Sequence, residues 1–251
     1  MSAMNSDIST LLNGWDYEPS RVKARWIVGR DGRLKIQLRL DLGVLQMEVE
    51  GRPDGRRPKG HASWLEYYQS FKPVGGEFPR EAVPDKAGCN DLQQEALQYY
   101  YRYLAFQALG NHDGVVADTT HNLEIVKLVE QRLGDERLVW PFLQFYPYIR
   151  MMQARAMAEK NLATDQFDEA RAILQEAVGD IRLFWTQHGD GEAPPDAPEL
   201  EALTDLLGRL HDRRPRSPRE KLNEQLERAI ASEDFEQAAS LRDQLRHLTG
   251  R

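Results

Sequence analysis

Residues 21–51, "RVKARWIVGRDGRLKIQLRLDLGVLQMEVEG", alternate apolar and polar side chains with period two, the pattern of strands that bury one face. The spacing predicts a three-stranded antiparallel meander. A three-residue loop, Arg30-Asp31-Gly32, with Gly32 in the left-handed region sets Val28 against Leu34, Trp26 against Ile36, Ala24 against Leu38 and Val22 against Leu40. A second turn at Leu42-Gly43 sets Leu40 against Leu45, Leu38 against Met47 and Ile36 against Val49. The other face of the sheet carries Lys23, Arg25, Lys35 and Arg39. Lys23 falls across from Arg39, which calls for an anion or a carboxylate between them. In this register Glu50 lies opposite Lys35, and Glu48 opposite Gln37.

Residues 51–60, "GRPDGRRPKG", form a basic, turn-rich loop. After it Trp64, Leu65, Tyr68 and Phe71 recur at helical spacing in "SWLEYYQSF", a helix expected to cover the sheet. Pro73, Gly75, Gly76, Pro79, Pro84 and Gly88 mark an irregular connector, and a boundary is expected near residue 88. From 91 to 185 the pattern is helical, read as two pairs of helices hinged near Gly110 and near Thr164-Asp165.

The second pair has Ala154 and Ala158 on its first helix, the turn "TDQFDEA", and Ala170, Leu174 and Ala177 on its second. It resembles a tetratricopeptide repeat, in which small residues let two helices approach. The first pair is looser, with Val115 where the repeat usually has a small residue. Val115 and Ala170 lie 55 residues apart, too far for a tandem array, and an insertion containing "WPFLQFYPY" separates them. Either the array is degenerate or the likeness is only to paired helices.

Residues 188–199, "HGDGEAPPDAPE", are a proline-rich acidic linker. A short amphipathic helix follows, then "DRRPRSPREK", an arginine cluster broken by prolines and read as a tether. The last segment, "PREKLNEQLERAIASEDFEQAASLRDQLRHL", 218–248, reads as helix, tight turn, helix. Leu222, Leu226, Ala229 and Ile230 form one stripe; Ala238, Leu241, Leu245 and Leu248 form another. Phe235 is expected to plug the turn, Ser232 or Asp234 to cap the second helix, and Ala238 with Ala239 to permit close approach.

Leu222, Leu226, Ala229, Ile230, Glu233, Asp234, Phe235, Glu236, Ala238, Ala239, Leu241, Arg242, Asp243, Leu245 and Leu248 carry a pattern that resembles the UVR motif. That motif is the helical hairpin shared by the UvrB and UvrC nucleotide-excision-repair proteins and by several bacterial proteins linked to Clp-type proteolysis. The resemblance implies a docking device without catalytic activity, and a bacterial source. A hairpin this small leaves apolar surface for another protein or a second copy to cover.

The fold expected is therefore α+β, mostly helical: a β-meander module with a covering helix at 1–88, a helical-hairpin domain at 89–187, a linker with a short helix at 188–217, and the hairpin at 218–251. A net charge of −7 argues against a general nucleic-acid binder. With 41% hydrophobic and 29% charged residues and no long apolar run or signal sequence, a cytoplasmic protein without membrane contact is expected.

One cysteine, Cys89, supplies neither a disulfide nor a Cys-based metal site and reads as a plain loop cysteine. His112, Asp113 and His121 lack the convergent ligands a metal needs, and no phosphate-cradling loop or nuclease-type carboxylate set is present. No catalytic residue, metal or cofactor is assigned. The leading reading is a non-enzymatic adaptor or regulator docking through Leu222, Leu226, Ile230, Phe235, Ala238, Ala239, Leu241, Arg242, Asp243, Leu245 and Leu248. The alternative is a DNA-repair accessory factor that meets nucleic acid through Lys23, Arg25, Lys35, Arg39 and the arginine tether.

Overall fold

In a computed structural model the chain is described over residues 7–189, 191, 194, 197–213 and 218–249, the side chains of 211–213, 218–221, 224 and 247–249 excepted. It divides into two compact units between Leu207 and Gly208.

The first unit opens with one helical turn, α1 (Ser9–Leu12), followed by β1 (Ala24–Val28), β2 (Leu34–Leu40) and β3 (Gly43–Glu48) in the sheet order β1-β2-β3. The first hairpin has the expected register, Ala24 on Leu38, Trp26 on Ile36 and Val28 on Leu34. Gly32 takes φ +74°, a conformation that costs a residue without a Cβ little. The second hairpin is two residues tighter than expected. Leu38 pairs with Leu45, Ile36 with Met47 and Lys35 with Glu48, because the chain turns on Asp41-Leu42 and Gly43 already opposes Leu40. A two-residue slip keeps every side chain on its face, so the apolar pattern alone does not exclude it.

The helices follow: α2 (Trp64–Gln69), α3 (Lys86–Ala108), α4 (His112–Arg132), α5 (Glu136–Leu143), α6 (Tyr146–Leu162), α7 (Phe167–His188) and α8 (Pro198–Arg213). The helix that covers the sheet is α3. Ile36, Leu38 and Met47 share a core with Tyr103, Ala105 and Phe106 of α3, Val115 of α4, and Met152 and Ala156 of α6. The expected cover, α2, packs instead in a second core, where Leu65 and Tyr68 meet Leu92, Ile125, Val129, Phe142 and Phe184. The boundary expected at residue 88 thus falls in the first turn of α3, and sheet and helices form one unit. In the segment expected to be a linker, Ala197 and Leu203 are buried.

α4 packs on both α3 and α6, and α6 on α7, joined by turns where the sequence placed its hinges. Gly110 has φ +69° and Asp165 +59°. Ala154, Ala158, Ala170, Leu174 and Ala177 are all fully buried, as the small-residue pattern of the second pair requires. Between α3 and α4 the contact needs a glycine: a Cβ on Gly114 would stand 2.6 Å from the Phe106 ring.

The division falls within α8, and the second unit contains, after the end of that helix, α9 (Pro218–Ala231) and α10 (Phe235–Thr249), which pack on each other. Among the described residues no helix is long and apolar enough to cross a membrane.

Candidate docking hairpin

Why this segment turns where it does is a matter of one residue. Glu233 adopts φ 58°, so Ser232 N donates to Arg228 O at 3.0 Å and Asp234 N to Ala229 O at 2.8 Å, closing the end of α9. Asp234 then caps α10, its Oδ1 accepting from Gln237 N at 3.0 Å. Ser232 serves α9 instead, donating its hydroxyl to Arg228 O.

The interior of the hairpin is small. Ala229, Ala238 and Leu241 are buried, with Leu222 and Leu226 packed against them and Leu245 half-buried. Ala239, expected at the helix–helix contact, is exposed; Ala238 alone makes the close approach. Phe235 does not plug the turn. The residue is 70% exposed, and Ile230 is 45% exposed. The exposed carboxylates Glu227, Glu233, Asp234 and Glu236 surround these two side chains in sequence against one cation, Arg228. Arg242 and Asp243 are exposed on α10, where Asp243 lies 3.9 Å from Arg246, a spacing that stabilises little in water. The Leu248 side chain and the tether residues 214–217 lie outside the described residues.

On the sheet, each of the four basic residues has partners from the protein itself. The Lys23 ammonium meets Glu18 and donates to Asp16 O at 2.8 Å. Arg25 lies 4.0 Å over the Trp15 ring and donates to Gln37 and to Leu11 O. Lys35, nearly buried, is held by Glu48 and by Asp31 at 3.1 Å, and both carboxylates push its pKa up. Arg39 donates to the carbonyls of Trp15, Leu40, Asp41 and Gly43. The Lys23–Arg39 repulsion is thus relieved by Glu18 and by main-chain oxygens of the N-terminal segment, and the expected Glu50–Lys35 pair is replaced by Glu48–Lys35.

Beneath the sheet lies a polar cluster that the sequence reading did not single out. Arg102 makes a two-pronged contact with Asp118 at 2.8 and 2.7 Å, both buried, and donates to Glu48 O and Gly51 O. Burial pushes the Asp118 carboxyl above its ordinary range, and Arg102 opposes this. Glu95, fully buried in α3, accepts from the first main-chain N–H groups of α2, Trp64 at 2.7 Å and Leu65 at 3.0 Å. His121 lies 3.1 Å from the same carboxylate and stacks on Tyr99, ring centres 3.6 Å apart. Both Glu95 oxygens are engaged in joining α2, α3 and α4, and Arg52 Nε lies 3.3 Å from Oε2.

His112 stands apart, 3.1 Å from Glu159, and Asp113 pairs with Lys160. Among the described residues no group of three or more His, Cys, Asp or Glu is placed to hold a metal ion. Cys89 is not in a loop; it is buried in the first turn of α3, and burial pushes its thiol pKa up, away from nucleophilic use.

The segment that forms α9 and α10 matches a known sequence family. Residues 218–249 match the family model described as the UvrB/uvrC motif. Neither the curated proteins nor the solved structures include a match to this chain.

Proposed function

We propose that this protein is a non-enzymatic, cytoplasmic adaptor or regulator that docks on another protein through the hairpin 218–249. One observation carries the reading. A segment matching a motif used for protein–protein and repair-related interactions leaves its largest apolar side chain, Phe235, 70% exposed, with Ile230 half in water beside the turn. The hairpin buries little more than alanines and leucines within itself, so further apolar burial has to come from outside. The acidic residues flanking Phe235 define the complement: an apolar pocket with a basic rim.

The nucleic-acid reading has less behind it. Lys23 and Lys35 are paired with carboxylates, and Arg25 and Arg39 are directed onto neutral oxygens of their own chain. Phosphate binding requires cations free to displace counterions.

The test is affinity capture with the full chain against Phe235→Glu and Ile230→Glu, read by quantitative mass spectrometry. The adaptor reading expects a defined protein to be lost from both variants while helicity is unchanged. Retention of the same bound set by both variants would overturn it. Steeply salt-dependent DNA binding, weakened by alanine at Lys23, Arg25, Lys35 and Arg39, would favour the alternative.

A further inference from the structure

A cleft of about 780 Å³ opens in the first unit between α3, α4, α5 and α6, with Glu199 from the first turn of α8 on its wall. Its volume falls in the range of sites that enclose a small molecule. Three tyrosines form much of the wall. Tyr100 lies edge-on to Tyr103 with ring centres 5.4 Å apart, and tilted to Tyr148 at 6.3 Å. Phe142 and Phe145 extend the apolar lining.

The charge is one-sided. Among the described residues that line the cleft there is no arginine, lysine or histidine, and Glu199 brings a carboxylate. The field of Glu199 reaches Tyr148, whose hydroxyl is held above the ordinary phenol range by burial first, then by Tyr100, with Glu199 adding in the same sense. Arg155, which opposes that effect, is not part of the lining and is bonded to Glu159 at 3.0 Å.

The wall offers apolar surface, and behind it lies a buried amide. Leu97 and Phe145 on its wall are 42% and 55% exposed. Asn122, only 3% exposed, donates its Nδ2 to Ala96 O at 3.0 Å, and its Oδ1 is buried without a partner.

We infer that this cleft binds a small organic cation: an ammonium among the Tyr100, Tyr103 and Tyr148 rings and Glu199, with its apolar body against Leu97, Phe142 and Phe145. The negative faces of aromatic rings attract a desolvated cation, and the carboxylate adds a full opposite charge. An anion gains none of these contacts and meets Glu199. The Glu199 charge therefore disfavours phosphates and carboxylic acids against amines. The inference rests on this cleft alone and stands or falls separately from the hairpin.

The experiment is calorimetric titration of the full chain with three probes of one shape: phenethylamine, 2-phenylethanol and 3-phenylpropionate. The amine is expected to bind saturably, more tightly than the alcohol and at least about tenfold more tightly than the acid. Glu199→Gln should bring the amine close to the alcohol. Phe145→Ala, at a half-exposed position, should weaken all three while leaving the fold intact. The inference is overturned if the amine shows no saturable binding up to about 10 mM, if the acid binds as well as the amine, or if neither substitution changes the amine's affinity.

Discussion

Asp165 and Glu233 occupy the same position in two separate hairpins. Each is left-handed, at φ 59° and 58°, and each is followed by an amide that reaches five residues back: Gln166 N to Asn161 O at 2.9 Å, Asp234 N to Ala229 O at 2.8 Å. The turn between α3 and α4 repeats the geometry, with Asn111 N donating to Phe106 O at 2.9 Å, but there Gly110 holds the left-handed position. A side chain in this conformation costs about 1–2 kcal/mol, and glycine's extra freedom when unfolded returns about half of that. Asp165→Gly and Glu233→Gly should each stabilise their hairpin by about 0.5–1 kcal/mol. Urea unfolding reads the first and amide exchange over 235–246 the second; destabilisation by either would contradict the strain argument.

Ala238 and Ala239 are neighbours with opposite surroundings, one buried against α9 and one in solvent. Ala238→Leu should overpack the hairpin and cost about 1–3 kcal/mol, whereas Ala239→Leu should stay within about 0.5 kcal/mol of the parent. Helicity and exchange protection of the C-terminal unit in the full chain distinguish them. Equal effects would mean that the rotation of α10 about its axis differs from the one described.

The buried Arg102–Asp118 pair ties β3 to α3 and α4. Arg102→Met should cost about 3–5 kcal/mol, since it strands a buried carboxylate. Adding Asp118→Leu should recover much of that loss but not all, because Glu48 O and Gly51 O have still lost their donor, at about 1–3 kcal/mol. Chemical denaturation of the single and double variants measures the coupling. A double variant no more stable than Arg102→Met would show that the carboxylate is not the main casualty.

Much of this architecture was legible from periodicity. Alternation fixed the faces of β1, β2 and β3, and Gly32 fixed the first register. The second register slipped by two because Leu45, Met47 and Val49 are interchangeable in an apolar pattern. The error over the covering helix has a similar origin: Trp64, Leu65 and Tyr68 announce that a face is buried without saying against what. In α3, Leu92, Tyr99, Tyr103 and Phe106 announce the same, and the sheet lies under the later of them. The polar cluster did leave a signal. Glu95 and Arg102 fall in step with Leu92, Tyr99 and Phe106, and Asp118 and Asn122 with Val115, Ile125 and Val129, so charged and amide groups sit on stripes that are otherwise apolar. Such groups must be paired inside. At the candidate docking site the motif was legible, but the outward placement of Phe235 was not, since helical spacing cannot tell a residue that closes a turn from one that projects off it.

Asp31 gives the sheet an acid-sensitive contact. The ammonium of Lys35, then the main-chain N–H of Arg33, hold its carboxyl at about 2, below the ordinary 3.8. Because the folded value is depressed, the contribution of the charged form is present above pH 3.8 and is lost as pH falls through about 2. The group lies in water, so the effect should be local to the β1–β2 turn and should weaken with added salt. Carbon-detected NMR titration of the Asp31 carboxyl should find the midpoint near 2, and Lys35→Met should move it back up toward 3.8. A wild-type midpoint already at 3.8, or one indifferent to Lys35→Met, would mean that Lys35 is held by Glu48 alone.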